Sequence, residues 1–264
     1  MTPPNNRRRL PFAIGAAVVL IAGAIALSVA VNKAAGTTPI GAATPTPSAT
    51  PAPATIPFAD CSAATFGPAL APLNEPSTPT TYTAAPAMTI NTGDLYEATI
   101  TTSEGNIVLC LQPALAPLTV NNFVTLARNH FFDGVPFWRI GPNSSTPDVI
   151  QGGDPDCIGN IGAAPATPTG SCGSGGPGYS FKDEQVHEQY VAGVIAMANS
   201  GIGTGSNGSQ FFIMKSTQTS IWPLNNKGLA YNLFGKVVDS ASLAVVAKIA
   251  QGDVMETVTV SEQT

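Results

Sequence analysis

From Tyr96 to the C-terminus, glycine-rich turns cut the chain into short apolar runs, and this most restricts what it can fold into. Tyr96 to Ile100 alternates in polarity, Ser103-Glu104-Gly105-Asn106 turns, and Ile107 to Leu111 is apolar, which predicts a hairpin. Further strand-like runs lie at Phe137–Ile140, Val191–Met197, Gln210–Met214, Leu233–Val238 and Glu256–Val260. Only two stretches have helical spacing: Thr119–Asn129, with Val120, Phe123, Val124 and Ala127 on one face and Thr119 as the expected N-cap, and Ala241–Ala250. Many short strands and two helices point to a mostly β protein closed into a barrel. The regular strand–helix alternation of a doubly wound sheet is missing.

The N-terminal third is different material. Arg7, Arg8 and Arg9 precede an apolar run from Leu10 to Val31, which is long enough to span a bilayer despite Pro11. A cleaved signal peptide, cut after Ala30 or Ala35, is the alternative to an uncleaved anchor. The length favours an anchor over residues 1–35, and the arginines put its N-terminus in the cytoplasm and the rest outside. From Gly36 to Pro57 the chain is mostly Thr, Pro and Ala without a charge, so residues 36–57 are expected to be a disordered linker. Residues 58–91 then form an extension before a domain at 92–264.

All 16 acidic residues lie at Asp60 or beyond, against seven basic ones in the same stretch. No basic patch exists to neutralise phosphates, which excludes a nucleic-acid partner. The four cysteines, Cys61, Cys110, Cys157 and Cys172, lie beyond the anchor and lack C-x-x-C spacing, which argues against zinc and for two disulfides. Three pairings are open. Cys157–Cys172 is favoured because it staples the Gly/Pro/Ala-rich loop between them, leaving Cys61–Cys110 to pin the extension onto a strand.

Two motifs are decoys. Gly203 to Gly208 fits G-x-G-x-x-G, but a strand-like run follows it where a dinucleotide site needs a helix. His130 and His187 sit in no nucleophile–base signature and read as surface residues.

Five blocks remain: Phe137-Trp138-Arg139-Ile140, Ile150-Gln151-Gly152-Gly153-Asp154, Met197-Ala198-Asn199-Ser200-Gly201, Asn207 to Ile213, and Phe234-Gly235-Lys236-Val237. In this order they resemble the cyclophilin family of peptidyl-prolyl cis/trans isomerases, over about Asp94 to Glu262. Tethered actinobacterial members look similar. The resemblance implies a closed eight-stranded antiparallel β-barrel capped by two helices, acting as a monomer without metal or cofactor on proline-containing segments. It makes Arg139 the catalytic arginine and Gln151 and Gln210 polar wall residues. Ala198 and Asn199 become the edge for an extended substrate, and Phe212 the floor of the proline pocket. Between the arginine and Gln-Gly-Gly-Asp the chain departs from the family, and two pocket positions fall on Asp148 and Val149. Val149 can line an apolar pocket; Asp148 cannot replace an aromatic ring. Trp222, Leu224 and Tyr231 take the remaining wall positions, Tyr231 where the family has histidine.

The implied chemistry needs no nucleophile. X–Pro bonds rotate over a barrier of about 18–20 kcal/mol, and a positioned donor can serve the amide nitrogen once it twists and becomes basic. Arginine suits that role with its permanent charge and rigid fork of N–H groups. The expected protein is a membrane-anchored isomerase outside the cytoplasm that assists the folding of exported proteins. A non-catalytic module that binds proline peptides is the alternative, favoured by Asp148 and Tyr231.

Overall fold

The structure, a computed structural model, describes residues 54–73, 81–142, 148–159, 172–201, 203–217 and 231–264. Nine strands form one sheet: β1 (Phe66–Ala69), β2 (Tyr96–Thr102), β3 (Gly105–Leu111), β4 (Arg139–Ile140), β5 (Val149–Gly152), β6 (Val194–Met197), β7 (Phe211–Met214), β8 (Leu233–Val237) and β9 (Thr257–Gln263). Their order is β1-β9-β2-β3-β8-β6-β7-β5-β4, and the paired neighbours are antiparallel. The two helices are α1 (Pro117–Arg128) and α2 (Ser240–Lys248).

The expected closed eight-stranded barrel is corrected to this open nine-stranded sheet. β9 is paired on one side by β2 and, over Ser261–Gln263, on the other by β1, a strand the extension adds, while Val258 N–H is taken by the Asp133 carboxylate. The gap is spanned by the loops before β4 and β9, where Gly134 and Phe137 N–H donate to Met255 and Asp253 carbonyls and Met255 N–H returns to Val135. Pro136 sits in the middle of that contact without an N–H, so no ladder can run through it. Among the described residues no helix is long and apolar enough to cross a membrane. The expected anchor at 1–35 and the linker as far as residue 53 lie outside them.

Strands β5, β6 and β7 are buried on both faces, which explains their unbroken apolar runs. Ile150, Ile195, Met197, Phe211 and Ile213 join the main core with Val120, Phe123 and Val124 of α1. Their alternate neighbours Val149, Val194, Ala196, Phe212 and Met214 form a second cluster on the other face, with Tyr190 and Leu233. Stacked and edge-on contacts of Phe123 with Phe132 (5.0 Å) and Phe211 (5.5 Å) tie α1 to the sheet.

α1 begins two residues before the expected N-cap. Pro117 opens the helix, where its missing N–H costs nothing, and Thr119 is inside the first turn. The cap comes from far along the chain: the Glu184 carboxylate accepts from Leu118 N and Thr119 N at 2.9 Å and from the Thr119 hydroxyl at 2.7 Å. A carboxylate there also meets the positive end of the helix dipole. α2 is capped locally by Asp239, which accepts from Ser242 N at 2.7 Å.

The extension is bound to the domain. On β3, Leu109 and Leu111 face the main core, so Cys110 faces the opposite way and bonds Cys61, with Cα atoms 5.7 Å apart. The Gln112 side chain accepts from Ala59 N at 2.8 Å and donates to Pro57 O at 3.1 Å. Ile56 and Phe58 pack on the second cluster, and Lys236 lies 5.6 Å from the Phe58 ring centre. The end of the expected linker, residues 54–57, therefore already lies on the domain.

Candidate active site

Partnered residues of an antiparallel sheet share a face. Arg139 pairs with Gln151, Gln151 with Phe212, and Phe212 with Ala196. Four neighbouring strands thus set Arg139, Gln151, Phe212 and Ala196 in one row. The two-residue repeat adds Val149 beside Gln151, Gln210 beside Phe212 and Ala198 beside Ala196. On the flank, Leu233 of β8 pairs with Ala196, which brings Tyr231 to the same face. Arg139, Val149, Gln151, Ala198, Asn199, Phe212 and Tyr231 together line a small cavity of about 60 Å³. Gln210 lines a second cavity, of about 500 Å³, which shares Arg139, Gln151, Ala198 and Asn199 with the first.

Phe212 is 4% exposed and gives the small cavity an apolar floor. The Tyr231 ring stands edge-on to it at 5.3 Å and 89°. Tyr190 holds the Tyr231 backbone from below, its hydroxyl donating to Tyr231 O at 2.7 Å and accepting from Tyr231 N at 2.9 Å. The Arg139 guanidinium lies 5.9 Å from the Trp138 ring centre. Its Nε is buried without a hydrogen-bond partner. Burial lowers the Arg139 pKa from its ordinary value, with Tyr231 acting in the opposite direction. An arginine so placed remains charged at neutral pH.

The polar wall is braced in series. Gln151 Nε2 donates to Gln210 Oε1 at 3.0 Å. Gln210 Nε2 donates to Gly175 O at 2.9 Å and to Gly173 O and Asp154 Oδ2 at 3.2 Å. Asp154 Oδ2 accepts from Gly173 N at 2.6 Å and Gly175 N at 3.0 Å, and Oδ1 from Asp156 N at 2.9 Å. Burial pushes the Asp154 carboxyl up while these three N–H donors pull it down; the balance is upward. Gly153, at φ +85°, is required here, since a Cβ would lie 2.3 Å from Ser209 O.

Cys157 and Cys172 are bonded, with Cα atoms 4.6 Å apart. That is close to the ~3.8 Å of consecutive residues, so the disulfide brings Asp154–Cys157 directly up to Gly173–Gly175. Both favoured pairings are therefore found in the structure. Chain-entropy reasoning gives about 3 kcal/mol for the shorter loop and about 4 kcal/mol for Cys61–Cys110.

Trp222 and Leu224 lie outside the described residues, and the other eight expected site residues come together. Asp148 does not line the small cavity; its carboxylate lies 3.8 Å from Lys215 Nζ. Neither histidine does so: His130 Nδ1 contacts Asp133 at 3.0 Å, and His187 Nδ1 donates to Ala54 O at 2.9 Å. The Gly203–Gly208 decoy is a loop leading into β7, not a helix. Sequence reasoning missed Trp138, Tyr179 and Gly173–Pro177 as cavity walls. Trp138 had one signal, an aromatic ring next to Arg139; the others line the cavity only through long-range packing.

Residues 97–264 match the family of cyclophilin type peptidyl-prolyl cis-trans isomerase/CLD. A peptidyl-prolyl cis-trans isomerase of Helicobacter pylori is 37% identical over 166 residues, covering 62% of this chain and 86% of that protein. One from Synechococcus elongatus is 34% identical over 159 residues, 60% of this chain and 92% of the other. Peptidyl-prolyl cis-trans isomerase A of Mycobacterium tuberculosis is 37% identical over 174 residues, 58% of this chain and 80% of the other. The family match takes in all of the sheet from the second residue of β2 onward, and with it the row from Arg139 to Ala196: the chain belongs to the cyclophilin-type peptidyl-prolyl cis/trans isomerases.

Proposed function

We propose that this chain isomerises X–Pro bonds in exported polypeptides, with the proline ring in the 60 Å³ cavity and Arg139 beside the twisting amide. One observation carries the reading: a charged, half-buried guanidinium with an unsatisfied Nε at the edge of a pocket whose apolar floor is Phe212. In the planar amide the nitrogen lone pair is delocalised and accepts poorly. In the twisted amide it is localised and basic. A donor held by the fold next to that nitrogen therefore binds the transition state better than the ground state. Gln151, braced by Gln210, fixes the polar side of the cleft, while Val149, Ala198 and Tyr231 enclose the ring. Ala198 and Asn199 form the edge along which the extended substrate lies. The binding-only alternative rests on Asp148 and Tyr231; the Asp148 carboxylate lies by Lys215 and does not line the pocket, whereas Tyr231 does.

Adding the full chain to an Ala-Pro peptide should speed cis/trans exchange, which is otherwise a matter of tens to hundreds of seconds. Exchange spectroscopy reads this directly. No acceleration at saturating protein would leave only the binding module.

The location is part of the same proposal. Arg7–Arg9 and the apolar run to Val31 support a retained anchor, with a monomeric isomerase domain outside the cytoplasm. Fractionation is expected to leave full-length protein in the membrane pellet after a salt wash. A soluble product beginning after Ala30 or Ala35 would refute the anchor.

A further inference from the structure

One wall of the larger cavity runs from Gly173 to Pro177 and continues at Tyr179. Its first part is held by Asp154 and Gln210, inside the isomerase domain. Its second part is held by the extension. Tyr82 N–H donates to Pro177 O at 2.8 Å. At Gly178, φ +89°, a Cβ would lie 2.3 Å from Thr81 Cγ2 and 2.6 Å from Tyr82 O, so the two backbones meet where only glycine fits. The Tyr82 ring lies 6.3 Å from both Phe131 of the main core and Tyr179 of the cavity wall.

The helix beneath is built for this arrangement. Asn121, Asn122 and Asn129 are all at least 96% buried, and a buried amide without partners is costly. Asn129 Nδ2 donates to the Tyr82 hydroxyl at 3.2 Å. Asn121 accepts from Thr89 N at 2.8 Å and donates to Ala87 O at 3.0 Å. Asn122 accepts from the Tyr179 hydroxyl at 2.6 Å and donates to Gly208 O at 2.9 Å, both at residues of the cavity. The extension therefore satisfies Asn121 and meets Asn129 through Nδ2 alone, its Oδ1 being left without a partner, and Asn122 is satisfied by the wall that the extension covers.

We propose that the extension is part of the substrate cleft, and that Tyr82 is a positioning residue holding the Pro177–Tyr179 wall so that the larger cavity can take peptide residues flanking the X–Pro bond. This rests on the isomerase reading for what occupies the cavity. It gives the part of the extension around Tyr82 a role in selecting substrates, beyond that of a spacer.

The test uses the full chain, its Tyr82→Ala and Tyr82→Leu variants, and two probes: a blocked Ala-Pro dipeptide and blocked peptides extended by two residues on each side of it. Affinities come from chemical-shift titration and rates from exchange spectroscopy. Tyr82→Ala should lower the ratio of extended- to short-peptide affinity roughly tenfold, a moderate loss for a displaced binding wall. Tyr82→Leu keeps apolar bulk on Phe131 and the backbone N–H, so it preserves the fold should the alanine variant fail, and it should lower the ratio in the same direction. A purely structural role would lower both affinities together, or the melting temperature alone, and leave the ratio fixed; either result overturns the proposal. A selective loss in a protein that does not accelerate exchange would uphold the wall while rejecting the isomerase reading.

Discussion

Arg139→Ala is expected to lower kcat/KM on an X–Pro peptide about 100- to 1,000-fold, the range for losing one preorganised donor at a transition state. The fold should survive. The ion pair Lys215–Asp148 and the close contact His130–Asp133 do not involve Arg139. Its contact with the Trp138 face is worth about 0.5–1 kcal/mol at a partly exposed site. Stability should therefore move by about that much while the rate collapses. Arg139→Lys separates charge from geometry: a lysine keeps the charge and loses the planar fork, and partial recovery would assign the remainder to orientation. Exchange spectroscopy on an Ala-Pro peptide, with the variants compared at equal distance from their melting temperatures, is the measurement. Equal rates for wild type and Arg139→Ala would overturn the catalytic role.

Phe212→Ala should act on both fold and cleft. Truncating so large a buried ring removes about 3–5 kcal/mol, a large part of the stability of a domain this size. Phe212 sits mid-strand between Gln151 and Ala196 and carries the edge of Tyr231 at 5.3 Å, so the neighbours cannot close the space without moving the wall. Urea unfolding reads the first effect. Weaker peptide binding per folded molecule reads the second. If binding per folded molecule held while stability fell, Phe212 would be core and another residue would floor the pocket. Phe212→Leu, which refills most of the volume, should recover stability before it recovers affinity.

Much of the site was legible because its residues lie in short blocks whose order survives in the chain. Arg139, Gln151, Gln210 and Phe212 could be named from those blocks, since each keeps its residue type and its distance from glycine or a strand. Asp148 shows where such reading stops. Its place in the chain put it at a pocket position, but the strand begins one residue later at Val149, and the Asp148 carboxylate lies by Lys215, which also donates to Gly141 O. Thr119 shows the same at a helix end. The local signal named a cap, while the carboxylate that caps α1 comes from Glu184, 65 residues away.

The sequence by itself determined the mostly β character, the two helices, the row of chemistry-bearing blocks and the favoured cysteine pairs. The elements and blocks follow from side-chain period and turn residues, which act within a few residues of the chain, and the favoured cysteine pairs from the small number of possible pairings. Only the tertiary structure decided that the sheet stays open, that the extension adds β1, and that Tyr82 reaches the cavity wall. Those depend on which strand edge is left unpaired and which buried amides still need partners. Such needs are met by segments from 32 to nearly 200 residues away, and no local pattern records them.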